Sequence, residues 1–188
     1  MLRAERMTPI GETPLSEATS EAAHRARGEK EAYAGEEPRP LGSYAVLMAA
    51  YGAGVLGLVE LVRRSDVTTP ERIGFGDLLL LGVATYKVSR LLAKDPVTSP
   101  MRAAFTTFEG VSGPSELREA PSGHGLRHAV GELAVCPFCL GQWVATGFVF
   151  GYLLRPRATR LVASVFGVIS AADLLQFAHA AIQRNSDS

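Results

Sequence analysis

The sequence lacks an excess of charge of either sign and lacks the common catalytic motifs. Lysine and arginine together number 19, as do aspartate and glutamate, so the overall charge does not predict a nucleic-acid partner. The sequence contains no glycine-rich phosphate loop, no Gly-x-Ser-x-Gly turn and no His-Glu-x-x-His helix. We therefore predict that the protein is not an enzyme, with a thiol oxidoreductase as the one enzymatic alternative.

The first forty residues have little that could form a core. They hold 14 of the 38 charged residues of the chain but few aromatic or β-branched residues, and such a segment cannot recover the entropy that ordering costs. They also lack the basic start followed directly by an apolar stretch that marks a signal peptide. We expect residues 1–40 to form a disordered charged tail.

Four apolar segments follow the tail, and their lengths suit a lipid bilayer, whose hydrocarbon core is spanned by about 20 apolar residues. The segments are residues 41–62, 73–92, 137–154 and 161–182. A soluble protein of this size rarely buries four helices on all sides, because its surface needs polar residues. The sequence predicts an all-α, four-helix transmembrane bundle, in which residues 73–182 form one membrane domain and residues 93–136 form an interfacial loop.

The first segment contains Glu60 near its end, and the second and fourth carry several polar or ionisable residues, which cannot face lipid cheaply. At 100° per residue, each set falls within one arc of its helix: Asp77, Lys87, Arg90 and Lys94 in the second segment, and Asp173, Gln176 and His179 in the fourth. We predict that Asp173 pairs with Lys87 or Arg90. Such a pair either holds two helices together or belongs to an ion or proton pathway.

The two cysteines stand together as Cys136-Pro137-Phe138-Cys139 at the start of the third segment, where a proline suits the first turn of a helix. Three interpretations remain open. The cysteines are small structural residues, or they form a thiol–disulfide couple, since a helix N-terminus favours the thiolate. In the third interpretation, His124 and His128 join them as four tetrahedral zinc ligands. We expect no cofactor unless the cysteines bind zinc in this way.

Two stretches resemble the signature of the DUF1360 family. The first runs from Gly82 to Leu92 and continues through Asp95, Thr98, Pro100 and Arg102, and the second contains Gly131-Glu132-Leu133, the two cysteines, Gly141 and Trp143. The resemblance covers about residues 76–180. Members of this family are small bacterial membrane proteins of unknown function, some of them labelled sporulation proteins. The resemblance therefore implies a bacterial multi-pass membrane protein and does not supply a reaction.

The motif residues also have a physical interpretation. Asp95 precedes a proline, which disfavours helix at the preceding residue, so the second helix should end there. We expect Arg90, Asp95 and Arg102 to form an interfacial charge cluster that faces the cysteines, with Glu132 as a further member. Residues 125–133 are expected to form a short amphipathic helix that leads into Cys136.

These observations favour a membrane-embedded structural or interaction protein of the bacterial cytoplasmic membrane. Its predicted partners are the lipid bilayer and either another protein or a second copy of the chain. The alternatives are a membrane thiol-redox or metal-binding protein that uses Cys136 and Cys139, and a small-solute or ion transporter that uses Asp173. With four crossings, both termini lie on the same side of the membrane. A charged tail without a signal peptide is difficult to move across the membrane, so we expect the termini and the cysteines to lie on the cytoplasmic side.

Overall fold

The computed structural model describes residues 19–21, 24, 25, 28 and 39–186. The chain divides into two compact units, residues 1–41 and 42–188. The described residues before Arg39 are helical. The prediction of a disordered tail falls mainly on residues that lie outside this description.

Six α-helices follow within residues 41–186. They are α1 (Leu41–Arg64), α2 (Phe75–Lys94), α3 (Ser99–Arg102), α4 (Leu126–Val135), α5 (Pro137–Leu154) and α6 (Pro156–Ser186), and a 3-10 turn (Pro96–Thr98) precedes α3. Prolines open α5 and α6, because the first turn of a helix has no internal acceptor for the missing N–H. The last helix therefore begins five residues before the predicted position 161, and only Arg155 separates it from α5.

Within the described residues, three helices are long and apolar enough to cross a membrane, judged by length and composition: α1, α5 and α6. Helix α2 has 20 residues, but Asp77, Lys87, Arg90 and Lys94 interrupt its apolar sequence. Of the four predicted transmembrane helices, three are therefore supported by their length and composition alone. The fourth depends on what surrounds the charges of α2.

The expectation of an all-α chain is wrong between α3 and α4. Strand β1 (Thr106–Gly113) pairs antiparallel with β2 (Glu116–Pro121), in a register that is irregular after Phe108 and again after Val111. Ser115 in the tight turn has a φ of 57°, and Gly110 has a φ of 147°. The segment predicted as an interfacial loop is thus folded, and we call residues 95–136 the cap.

The core lies where α2, α5 and α6 pack together. Its buried residues are Leu81, Ala84, Tyr152 and Ala163, with Ile73, Leu80, Phe148 and Phe166 against them. Ala84 and Ala163 have no exposed surface, and small residues of this kind let helix backbones approach closely. Many large apolar side chains on the outer faces remain exposed, including Leu56, Leu79, Val165 and Leu174.

Helix α1 has no buried residue and contacts the rest of its unit through tyrosines. The Tyr51 hydroxyl lies 2.8 Å from Oγ1 of Thr146, and its ring meets Trp143 edge to face with centroids 5.0 Å apart. The hydroxyl of Tyr44 donates to the Glu132 carboxylate. These contacts hold α1 beside α5 and α4 without giving it a packed apolar face.

Candidate functional site

Arg102 and Glu119 form a buried ion pair inside the cap. Nε of Arg102 donates to Oε2 of Glu119 at 2.6 Å, and Nη2 donates to Oε1 at 3.2 Å. The two side chains are only 3% and 6% exposed. Buried charges are tolerated when they are paired and hydrogen-bonded. The two parallel hydrogen bonds between the guanidinium and the carboxylate pair these charges and also satisfy donors and acceptors on both side chains.

The same guanidinium caps the C-terminal end of α2. Nη1 of Arg102 donates to the carbonyl oxygen of Leu92 at 2.7 Å, and Nη2 donates to that of Asp95 at 3.1 Å. The hydroxyl of Thr98 donates to the carbonyl of Leu91 at 2.6 Å. Since the last four carbonyls of a helix have no partner within it, these side chains satisfy the end of α2 and join it to the hairpin.

The predicted charge cluster of Arg90, Asp95, Arg102 and Glu132 is divided among separate contacts. Nε of Arg90 donates to Glu116 at 3.0 Å. The Asp95 carboxylate instead accepts the backbone N–H of Val97 at 2.8 Å and opens the 3-10 turn. The expectation of one cluster is corrected because strand β2 supplies the acidic partners of both arginines.

Glu132, the remaining member, lies on α4 and takes part in neither arginine contact. Its carboxylate accepts a hydrogen bond from the hydroxyl of Tyr44, and Nε2 of His128 lies 3.5 Å from its Oε1. The neighbouring Gly131 explains how α4 fits against the hairpin: a Cβ at this position would lie 2.5 Å from the Phe105 carbonyl oxygen and 3.1 Å from the Pro121 side chain. Only glycine permits this close approach.

The structure brings together the predicted intramembrane pair of Lys87 and Asp173. Nζ of Lys87 lies 2.5 Å from Oδ2 of Asp173, and the side chains are 21% and 35% exposed. Arg90, the other predicted partner, turns to the cap instead. The Lys87–Asp173 contact joins α2 to α6 and leaves both charges compensated.

A second polar contact between the helices was not anticipated from the sequence. Arg160 on α6 holds Asp77 on α2 with two hydrogen bonds of 2.7 Å, and the buried Tyr152 on α5 donates to the same carboxylate at 2.6 Å. We call these three residues the triad. The sequence signal was weak, because Arg160 stands among other basic residues beside a short loop, where arginines commonly serve only to orient a membrane protein.

The cysteines are both free, with Cys136 half-buried and Cys139 exposed. The backbone N–H of Cys139 donates to Sγ of Cys136 at 3.2 Å, so Cys136 caps the N-terminus of α5. The four predicted zinc ligands do not gather into a site. Over residues 39–186 and the few described before them, no three His, Cys, Asp or Glu side chains are placed to hold a metal ion.

These features define a mostly helical protein with three helices apolar enough to cross a membrane and a hairpin cap between α2 and α5. Residues 80–179 match the profile of DUF1360, described as a protein of unknown function. The match covers more than half of the chain, and the chain belongs to this family. The match includes the cap, the cysteines and both partners of the Lys87–Asp173 pair, whereas α1 lies outside it.

One similar protein is the sporulation protein YjcA of Bacillus subtilis (strain 168). The two are 26% identical over 102 residues, which make up 53% of this chain and 86% of the relative. No solved structure matches the chain.

Proposed function

We propose that the protein crosses the bacterial cytoplasmic membrane four times, with α1, α2, α5 and α6, and serves there as a structural or interaction protein. The observation that carries the proposal is the pairing of the α2 charges. Asp77 forms an ion pair with Arg160 near the start of α2, and Lys87 forms one with Asp173 further along α2. Because these groups face protein partners, α2 can enter lipid without exposing them.

The positions of the contacts support this topology. Asp77 lies near the start of α2, Tyr152 near the end of α5 and Arg160 near the start of α6. Four crossings put all three helix ends on one side of the membrane, together with the short loops at 65–74 and Arg155. The cap, the tail and the C-terminus would occupy the other side.

The ion pairs of α2 support the proposed interaction role, because the charged groups in these pairs bind partners within the fold and do not point into an open cleft. Lys87, Asp77 and Arg90 each have an ion-pair partner on another element, so they hold the fold together. Helix α1, in contrast, has no buried residue and presents an apolar surface to lipid, to another protein or to a second copy. The name of the B. subtilis relative suggests sporulation proteins as the first partners to examine.

Reporter fusions test the topology. A reporter active on only one side of the membrane would be joined after Thr68, after Gly113, after Arg155 and at the C-terminus. The proposal expects the Thr68 and Arg155 fusions to agree with each other and to differ from the other two. Agreement between the Thr68 and Gly113 fusions would mean that α2 does not cross, and the four-crossing proposal would be wrong.

Photo-crosslinking from α1 tests the interaction role. A photoreactive residue replacing Leu56, which is 71% exposed, should give a discrete crosslinked protein in native membranes. The same residue in place of Leu174, exposed to a similar degree on α6, serves as the matched control. Lipid adducts alone at Leu56 would contradict a protein partner on this helix.

A further inference from the structure

The two free cysteines have a spacing at which a disulfide can form. Cys136 and Cys139 are three positions apart in the first turn of α5, and helix geometry places Cα atoms at this spacing about 5 Å apart. Disulfides need a Cα separation of roughly 4.4–6.8 Å. The backbone of α5 therefore requires little rearrangement for the bond to form.

The two cysteine side chains differ in exposure, so they would react one after the other with an incoming disulfide. Sγ of Cys136 already points into the first turn, where it accepts the Cys139 N–H at 3.2 Å. Cys139 is exposed while Cys136 is half-buried, so an incoming molecule reaches Cys139 more easily. The chain has no other cysteine, which leaves Cys136 as the one thiol of the same molecule that can resolve an adduct on Cys139.

We propose that Cys136 and Cys139 form a thiol–disulfide exchange site for low-molecular-weight disulfides. Cys139 gives its proton to solvent, and its thiolate attacks one sulfur of the disulfide RS–SR, forming a mixed disulfide and releasing RS⁻. Cys136 then gives its proton to solvent and attacks Sγ of Cys139, which displaces the second RS⁻. Two protein thiols are oxidised to one intramolecular disulfide, and one RS–SR is reduced to two RSH after protonation.

The position of the pair gives this reaction a structural consequence. Cys136 is both the C-cap of α4 and the N-cap of α5, and its backbone N–H donates to the Leu133 carbonyl. Closing the disulfide would restrain the turn at which α4 ends and α5 begins. The exchange site is independent of the interaction role proposed above, since it rests on the cysteine geometry alone.

Oxidised glutathione is a suitable probe for the full-length protein in detergent micelles. After acid quenching and alkylation of the remaining thiols, mass spectrometry should show a chain that has lost two hydrogens, carries no glutathione and takes up no alkyl group. Dithiothreitol should restore two alkylated thiols. The proposal is overturned if the wild-type chain retains glutathione, keeps both thiols free or forms disulfide-linked dimers.

Two single substitutions distinguish the roles of the thiols. Cys136→Ser should accumulate the glutathione adduct on Cys139, because no resolving thiol remains. Cys139→Ser should form its adduct about tenfold more slowly, since access governs exchange with the half-buried Cys136. Equal rates for the two variants would contradict the assigned order of attack. The wild-type measurement stands independently of how well either variant folds.

Discussion

Arg102 is the residue on which the contacts of the cap converge. It pairs with Glu119 on β2 and also donates to carbonyl groups at the end of α2. A single side chain thereby satisfies the C-terminus of one helix and a buried carboxylate at the same time. Lysine has the charge but not the planar fork of donors, so it cannot make both sets of bonds.

We expect Arg102→Lys to lower the free energy of unfolding by about 3 kcal/mol, because Glu119 and the α2 carbonyls would lose buried partners. Thermal unfolding of the purified protein in detergent provides the measurement. The control is Arg118→Lys, since Arg118 is exposed and its contact with Glu109 is 3.9 Å long. That change should alter stability by less than about 0.5 kcal/mol, and equal effects of the two substitutions would rule out a special role for Arg102.

Asp173 is the second residue whose substitution separates two interpretations. Asp173→Asn leaves the Lys87 ammonium without its charged partner, so the unfolding midpoint should fall by an amount corresponding to about 1–3 kcal/mol. The double variant with Lys87→Met should recover part of the loss, because coupled residues are not additive. Loss of solute flux in liposomes with unchanged stability would instead favour the transporter interpretation.

At the scale of elements, the contact between α4 and the hairpin depends on the absence of a side chain at one position. A Cβ at Gly131 would lie closer to the Phe105 carbonyl oxygen than real Cβ contacts come, and it would press tightly against Pro121. Arg127 of α4 also donates to the carbonyl of Ala104, two residues before β1 begins. This fit accounts for the glycine of the Gly-Glu-Leu sequence as a packing requirement.

Gly131→Ala should therefore destabilise the cap by about 1–3 kcal/mol, despite the higher helix propensity of alanine, because the backbone on the other side cannot move away. Hydrogen exchange of residues 106–121 should become faster, which localises the effect. Gly147→Ala is the matched control, since a Cβ there meets no atom within 4 Å. A neutral Gly131→Ala would show that α4 and the hairpin separate easily.

At the scale of the whole molecule, the triad and the Lys87–Asp173 pair hold α2, α5 and α6 together, while α1 contacts this core without burying a residue. None of the residues of α1 is buried, and the family match begins at residue 80. We infer that the three-helix core with its cap is the stable part of the protein. Helix α1 is an addition that the core does not need for its own packing.

A chain shortened to residues 70–188 should accordingly retain the cap and the core. Its free energy of unfolding in detergent should stay within about 1 kcal/mol of that of the full chain, since the contacts described above between α1 and the core are polar or aromatic and involve no buried residue of α1. Deleting the hairpin from 106 to 121 provides the contrast and should be strongly destabilising, because Arg102 would be left buried without its carboxylate. Failure of the shortened chain to fold would assign α1 a larger share of the stability.

The sequence by itself determined the long helices, apart from the start of α6. Apolar length and flanking prolines are local properties, so α1 and α5 fall within two residues of their predicted ends. The sequence also indicated that Asp173 pairs with Lys87 or Arg90, because ionisable groups cannot face lipid cheaply, and the structure selects Lys87. The family motifs were visible as residues, although the contacts that they make were not.

Only the tertiary structure decided the cap and the choice of charged partners. The hairpin has two short strands with an irregular register, and such segments carry weak local signals. Glu116 and Glu119 look like ordinary loop acids until pairing with β1 places them beside Arg90 and Arg102. Which of several acids meets a given arginine depends on the path of the backbone through space, and spacing along the chain does not contain that information.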